Sequence, residues 1–288
     1  MTLHRHGRSN PELTRTRTAQ TAASVAQAQG IPVTLGIPAA IGAAFLILPL
    51  LAVIWRAPWS SLPQLIGSPT VRDALGLSLA CASVAMLISL LLGVPLAWYL
   101  ANSPGRLAAP VRGLVTVPLV LPPVVGGIAL LMALGRTGIV GQWLATVAGV
   151  TLPFSTAGVI VAETFVAMPF LVVTVEGALR SSDGRYAEAA RTLGATRLTV
   201  FRRVSLPLIL PALASGAALT WARALGEFGA TITFAGNFPG RTQTMPLAAY
   251  LALQTDPEAA IALSLVLLTV SVLILWALRG RWRGHSTP

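Results

Sequence analysis

Gly184-Arg-Tyr-Ala-Glu188-Ala-Ala-Arg-Thr-Leu-Gly194-Ala-Thr-Arg-Leu-Thr-Val-Phe-Arg-Arg-Val204-Ser-Leu-Pro207 is the most arginine-rich connection of an otherwise apolar chain. From Arg180 to Pro207 the chain is too charged to cross a bilayer. Tyr186, Ala190, Leu193 and Arg197 nevertheless recur at helical spacing, and Ala189 widens a stripe of small residues. Asp183 is placed to cap this helix, and Glu188 stands toward its positive end. Gly194 permits a tight bend, after which Leu198, Phe201 and Ser205 restart a helical period that leads through Pro207 into the next apolar run. The segment therefore predicts two short polar helices meeting near Gly194. Its paired alanines leave a bare surface that another protein can approach, with Glu188 and the arginines available for charged contacts at the rim. The alternative for the same residues is a basic loop resting on lipid headgroups.

Outward from this loop the composition is that of a bilayer protein. Of 288 residues 55% are hydrophobic and only 10% charged, with a mean hydropathy of +0.75, whereas about a quarter of the residues of a soluble domain are charged. The net charge of +11 comes from arginine alone, for the chain has no lysine. That absence excludes a phosphate-cradling loop ending in Gly-Lys-Ser/Thr, a Schiff base and a lysine general base. His4, His6 and His285 lie near the termini, and Cys81 is the only cysteine, inside an apolar run where it reads as a small buried hydrophobe. No metal site and no catalytic residue is expected. The arginines are scattered between apolar runs instead of gathered into one patch with aromatic residues, so nucleic acid is not the expected partner. Membrane lipid is.

Runs of the roughly 20 apolar residues needed to cross a hydrocarbon core lie at Pro38 to Trp55, Leu75 to Leu100, Gly113 to Leu134, Gly158 to Leu179, Leu208 to Phe228 and Ala259 to Leu278. They predict an all-α, polytopic protein of six transmembrane helices. Fifteen arginines fall in the amino tail, the second and fourth connections and the carboxyl tail; four fall in the other loops, and Arg223 lies inside a span. This bias places both termini and the Glu188 loop in the cytoplasm. The expected organisation is a disordered basic tail over 1–36, a first transmembrane helix over 37–56, a transmembrane unit over 73–278 containing the loop 180–207, and a second tail over 279–288. Val117-Pro-Leu-Val-Leu-Pro-Pro-Val-Val-Gly-Gly127 has to be kinked or unwound, and irregular backbone in a bilayer needs protein or water around it.

The spacing Glu188-Ala189-Ala190, three residues, Gly194, nine residues, Val204-Ser-Leu-Pro207 resembles the coupling loop of ABC-importer permeases of type I fold. The resemblance covers about Asp73 to Leu278, with the first helix as an addition. It implies an inner-membrane transport subunit, not an enzyme. Glu188, Ala189, Ala190, Leu193, Gly194 and Pro207 would couple it to a separate ATPase. It also implies a homodimer with two ATP-binding cassette subunits and a periplasmic or lipid-anchored binding protein. No cofactor is expected on this chain, since ATP and Mg would be held by the partner ATPase.

The cargo is read from the other side of the fifth span. Ala222-Arg-Ala-Leu-Gly-Glu-Phe-Gly-Ala-Thr-Ile-Thr-Phe234 is similar to permeases for tetrahedral oxyanions, sulfate and molybdate alike. Thr231-Ile-Thr-Phe234, the Asn237-Phe-Pro-Gly240 turn, Thr242-Gln-Thr244 and Leu253-Gln-Thr255 look like molybdate permeases, with sulfate, thiosulfate and tungstate as alternatives. Thr220, Arg223, Thr231, Thr233, Asn237, Arg241, Thr242 and Thr244 are the candidate donors to a passing oxyanion. Arg223 and Glu227 are also an i, i+4 pair, so a structural ion pair is the other reading of those two. Pro239-Gly240 suits a type II turn, and Asp256 before Pro257, or Thr255 with Glu258, suits a helix start. Pro246 to Gln254 is too short to cross and is expected at the outer mouth. The reading from another class is a self-sufficient secondary carrier or channel whose arginine loop merely touches lipid.

Overall fold

A computed structural model describes residues 33–282, all of whose regular structure is helical. Most of the stretches expected as tails lie outside these residues. Helix α1, Val33–Trp55, is apolar on all sides and long enough to cross a bilayer; it starts four residues before the expected boundary at 37. It forms a compact unit of its own, and the chain from Arg56 onward forms a second.

In that second unit a short helix, α2 (Leu62–Gly67), precedes α3 (Pro69–Asn102), which is the central helix. One face of α3 is a stripe of small residues at helical spacing: Ala74, Ser78, Ala82, Ala85, Ser89, Gly93 and Ala97, all buried. Between lipid-soluble helices there is no hydrophobic gain from burial, so close backbone approach and dispersion do the work, and small residues permit it. Helix α7 (Thr156–Ser181) packs most extensively against this stripe. Cys81 is buried there beside Val159 of α7 and behaves as a small apolar residue.

The region expected as one helix over 113–134 is two. α4 (Gly105–Val120) ends where Leu121 and Pro122 are both extended, and α5 (Pro123–Leu134) begins afresh. A residue before proline is pushed out of the helical region, and consecutive prolines remove successive donors, so the break falls at the Pro122-Pro123 pair. At roughly 18 Å, α5 is too short to cross. Among the described residues five helices are long and apolar enough to span. After α5 come a short helix, α6 (Gly141–Ala148), then α7.

Helix α7 leads into α8 (Gly184–Thr192) and α9 (Arg197–Val200). A π-helical turn, Phe201–Ser205, then joins α9 to α10 (Leu206–Leu225), making one continuous helix from Arg197 to Leu225. The wide turn has a cause. Pro207 cannot donate, and its ring would strike the carbonyl one turn back; Leu206 N–H instead reaches five residues back to Phe201 O. The expected fifth span to Phe228 stops short, at Leu225. A separate seven-residue helix, α11 (Gly229–Ala235), follows, then α12 (Met245–Thr255) and α13 (Pro257–Trp282). Asp256 caps α13, its Oδ1 accepting from Ala259 N–H, with Pro257 as first residue.

Two apolar clusters define the ends of this unit. Ala97 and Leu100 of α3, Ala108 of α4, Val172 and Val175 of α7 and Ile209 of α10 close one end, from which α8 and α9 project. Val71 and Ala74 of α3, Met245 and Ala248 of α12 and Leu263 of α13 close the other. Helices α3 and α7 therefore run in one direction and α10 in the opposite one.

The two broken segments meet. A Cβ on Gly127 of α5 would stand 2.7 Å from Thr233 Cβ and 2.9 Å from Ala230 O of α11; one on Gly229 would stand 2.8 Å from Pro123 Cβ and 3.1 Å from Val124 N. Each short helix thus presents a glycine to the backbone of the other. Replacing Gly127 or Gly229 by alanine overpacks this contact and is expected to destabilise by about 1–3 kcal/mol. Gly113→Ala, where nothing lies within 4 Å, is expected to cost none of it; thermal unfolding of the purified variants in detergent measures the difference.

Candidate functional site

The polar loop is built by local rules. Asp183 Oδ1 accepts from Arg185 N–H at 3.0 Å and starts α8. The Arg185 side chain closes on the same carboxylate, Nε to Oδ2 at 2.9 Å. These contacts hold the exposed Asp183 carboxyl below its ordinary range, the side-chain bond first and the backbone bond second. The helix ends in a Schellman closure: Ala195 N–H donates to Ala190 O at 3.0 Å and Gly194 N–H to Arg191 O at 2.9 Å. That closure needs a left-handed residue, and Gly194 has φ of 82°. Thr196 then caps α9 by accepting from Thr199 N–H.

Glu188, Ala189 and Leu193 are exposed, Leu193 at 88%, and Ala190 is half-buried. Among the described residues Glu188 makes no ion pair. Pro207 lies apart from this surface, at the start of α10, where it shapes the π-helical turn. Behind α8 a polar cavity of about 480 Å3 separates the loop from the ends of α3, α7 and α10; Trp98, Asn102, Ser182, Glu188, Arg191 and Ser205 are among its walls. Trp98 meets Phe201 edge-on at 5.7 Å and ties the π-helical turn to α3.

The same end carries a charged brace that spacing alone did not reveal. Glu176 of α7, nearly buried, accepts from Arg112 of α4 at 2.7–2.8 Å and pairs with Arg180 at 3.1 Å. Arg112 also donates to Leu100 O at the end of α3. Three helices are joined at one carboxylate. Removing Glu176 would leave Arg112, 31% exposed, with Leu100 O but without its carboxylate acceptor, a loss of about 1–3 kcal/mol. The half-exposed Arg180 pair is worth about 0–1 kcal/mol. The i, i+4 spacing of Glu176 and Arg180 was a readable signal; the contact with Arg112, 64 residues away, was not.

The candidate oxyanion donors do not converge on one pocket. Arg223 is paired with Glu227, Nη1 to Oε2 at 2.7 Å. The Thr233 hydroxyl donates back to Gly229 O, and Thr242 Oγ1 accepts from Phe238 N–H. Arg241 is exposed on the turn, where Gly240 has the expected positive φ of 71° and Arg241 N–H closes on Phe238 O. Thr220, Thr231 and Thr244 are buried with unpartnered hydroxyls, and Asn237 Oδ1 is likewise unpartnered. Ser78, absent from the expected set, accepts from Met245 N–H at 2.7 Å and fixes the start of α12 on α3.

The matching family model is that of binding-protein-dependent transport system inner membrane components, over residues 93–281. The chain belongs to this family. It is 48% identical over 251 residues to the molybdenum transport system permease protein ModB of Mycobacterium tuberculosis, covering 87% of this chain and 95% of that protein. It is 36% identical over 255 residues to the sulfate transport system permease protein CysT of Salmonella typhimurium, covering 86% and 91%. In fold it is similar to a chain of the crystal structure of a bacterial alginate ABC transporter in complex with alginate pentasaccharide-bound periplasmic protein. The TM-score is 0.72 at 19% identity, over 87% of this chain and 93% of that one. As an inner-membrane component this permease is a multi-pass protein of the cytoplasmic membrane, and a transport subunit by family.

The Asp183 cap makes a pH-dependent prediction. A carboxyl held below its ordinary value stabilises the folded helix start above that value, and the contribution is lost as pH falls through the depressed one. Protection of Arg185 N–H against hydrogen exchange, relative to its intrinsic rate, is expected to hold at neutral pH and to fail only below the ordinary carboxylate range. In Asp183→Ala it is expected to be missing at every pH.

Proposed function

We propose that this permease forms the translocation pathway of an ATP-driven molybdate importer. In this reading it works as a homodimer with two ATP-binding cassette subunits and receives its cargo from a periplasmic or lipid-anchored binding protein. Both termini and the Glu188 loop face the cytoplasm, in keeping with the arginine bias. The observation that carries the reading is the α8 surface: a small-residue helix, capped at both ends, that projects from the bundle with an exposed Glu188 free of ion pairs within the described chain. A chain without lysine has no ATP-binding loop of its own, so energy has to enter through a surface. This is the surface that fits, with ATP and Mg held on the partner.

Molybdate is favoured over sulfate by the higher identity to ModB than to CysT and by the Thr231-Ile-Thr-Phe234 and Asn237 to Thr244 segments. Coupling follows from rigidity. α9, the π-helical turn and α10 are one helix, so a pull on α8 at Gly194 tilts α10 and with it the Gly226–Phe228 break that joins α11. Thr220, Thr231 and Thr244, buried here with unpartnered hydroxyls, would offer a passing dianion weak, successive contacts once the pathway opens onto them.

Glu188→Ala should abolish co-purification of the ATPase and molybdate uptake together, while the permease itself still folds. Gly194→Val, strained at φ of 82°, should do the same through loss of the Schellman closure. If both variants retain ATPase and uptake at the wild-type level, the loop is not where energy enters. Competition of molybdate uptake by sulfate reads the cargo: sulfate as the better competitor would shift the reading to a sulfate permease.

A further inference from the structure

The Gly226-Glu-Phe-Gly229 break is organised by one carboxylate. Glu227, 1% exposed, accepts from Ala230 N–H through Oε1 at 2.8 Å and meets Arg223 Nη1 through Oε2 at 2.7 Å. It therefore ties the last turn of α10 to the first turn of α11. The pair is asymmetric: the Arg223 side chain is 28% exposed, whereas the carboxylate is sealed. The cation's side chain is partly accessible and its counter-ion is not.

The surroundings are acid-rich. Glu163 of α7, also 1% exposed and within electrostatic range of Glu227, has an unpartnered Oε2, and the ion pairs among the described residues give it no cation. Arg223 stands in the last turn of the continuous Arg197–Leu225 helix, at the opposite end from Arg197, Arg202 and Arg203. An oxyanion that approaches Arg223 Nη1 competes with Glu227 for it. In a low-dielectric interior a bare guanidinium would hold a tetrahedral dianion by two charge-assisted hydrogen bonds, too firmly for an ion that must leave again. A competing carboxylate four residues away subtracts most of that grip.

We propose that Glu227 is a positioning residue that masks Arg223 when the pathway is empty and yields it to the passing oxyanion. The weakness of the site is thereby set by the chain itself. This rests on the oxyanion-transport reading above.

The test uses the full chain in lipid nanodiscs, with binding of radiolabelled molybdate measured by equilibrium dialysis, and uptake by the assembled transporter alongside. Glu227→Gln keeps the volume and the acceptor for Ala230 N–H but removes the competing charge. It is expected to bind molybdate about ten- to a hundredfold more tightly than wild type, the range of one charge-assisted contact, and to transport it more slowly. Glu227→Asp, whose charge is withdrawn by one methylene, should fall between the two, and it reads in the same direction if the Gln variant does not fold. Arg223→Gln and the double variant Arg223→Gln with Glu227→Gln should bind weakly and transport poorly. Unchanged affinity in both Glu227 variants, or wild-type uptake in the double variant, would show a purely structural pair and overturn the proposal. If wild type and every variant fail to bind or carry any oxyanion, the transport reading falls, and this one with it.

Discussion

A bilayer interior has no water to satisfy a backbone N–H or C=O, so a chain that breaks its helices inside it must place every break against protein. Among the described residues such breaks fall at Leu121-Pro122 and at Gly226 to Phe228, and the two short helices that follow lie on each other. The contact is possible because Gly127 and Gly229 carry no side chain where the partner's backbone passes. Leu130 of α5 and Ala230 and Phe234 of α11 then close over Ala162 and Val166 of α7. The rest of the second unit is arranged around this insert, with α3 and α7 joined along a small-residue stripe as its frame.

The two ends of the frame differ in kind. One adds a charged brace to its apolar cluster, with Glu176 gathering Arg112, Arg180 and, through Arg112, the Leu100 carbonyl near the end of α3. From it project the capped α8 and the continuous helix that begins at Arg197. The other end is held by backbone contacts. Thr156 Oγ1 donates to Arg241 O, Phe154 N–H to Phe234 O, and Met245 N–H to Ser78 Oγ, fastening the outer segment to α7 and α3. Between them Glu227 sits where α10 gives way to α11 and ties Arg223 of α10 to the first turn of α11.

Local chemistry was legible in the sequence. Asp183 and Asp256 as caps, the bend at Gly194, the positive φ at Gly240 and the Arg223–Glu227 pair all depend on residues within five positions of one another. The break in the third apolar run was legible as a need for irregular backbone, but hydropathy averages over about 20 residues and cannot separate one spanning helix from two shorter ones. Contacts between distant segments left no periodic trace. Arg112 on Glu176, Ser78 under Met245 and the glycines of α5 against α11 are set by which helices become neighbours. The candidate donors to a passing oxyanion were chosen by residue type, and residue type does not show that Thr233 and Thr242 would turn their hydroxyls to the backbone.

In the proposed function this permease moves its cargo only when a separate ATPase delivers energy. Proteoliposomes that contain the purified chain, with and without the cognate ATPase, with ATP inside or out and a loaded binding protein on the opposite side, test it directly. Labelled molybdate is expected to accumulate only when ATPase, ATP and binding protein are all present. Accumulation by the chain alone, with no ATPase and no ATP, would contradict it and mark the protein as a self-sufficient carrier.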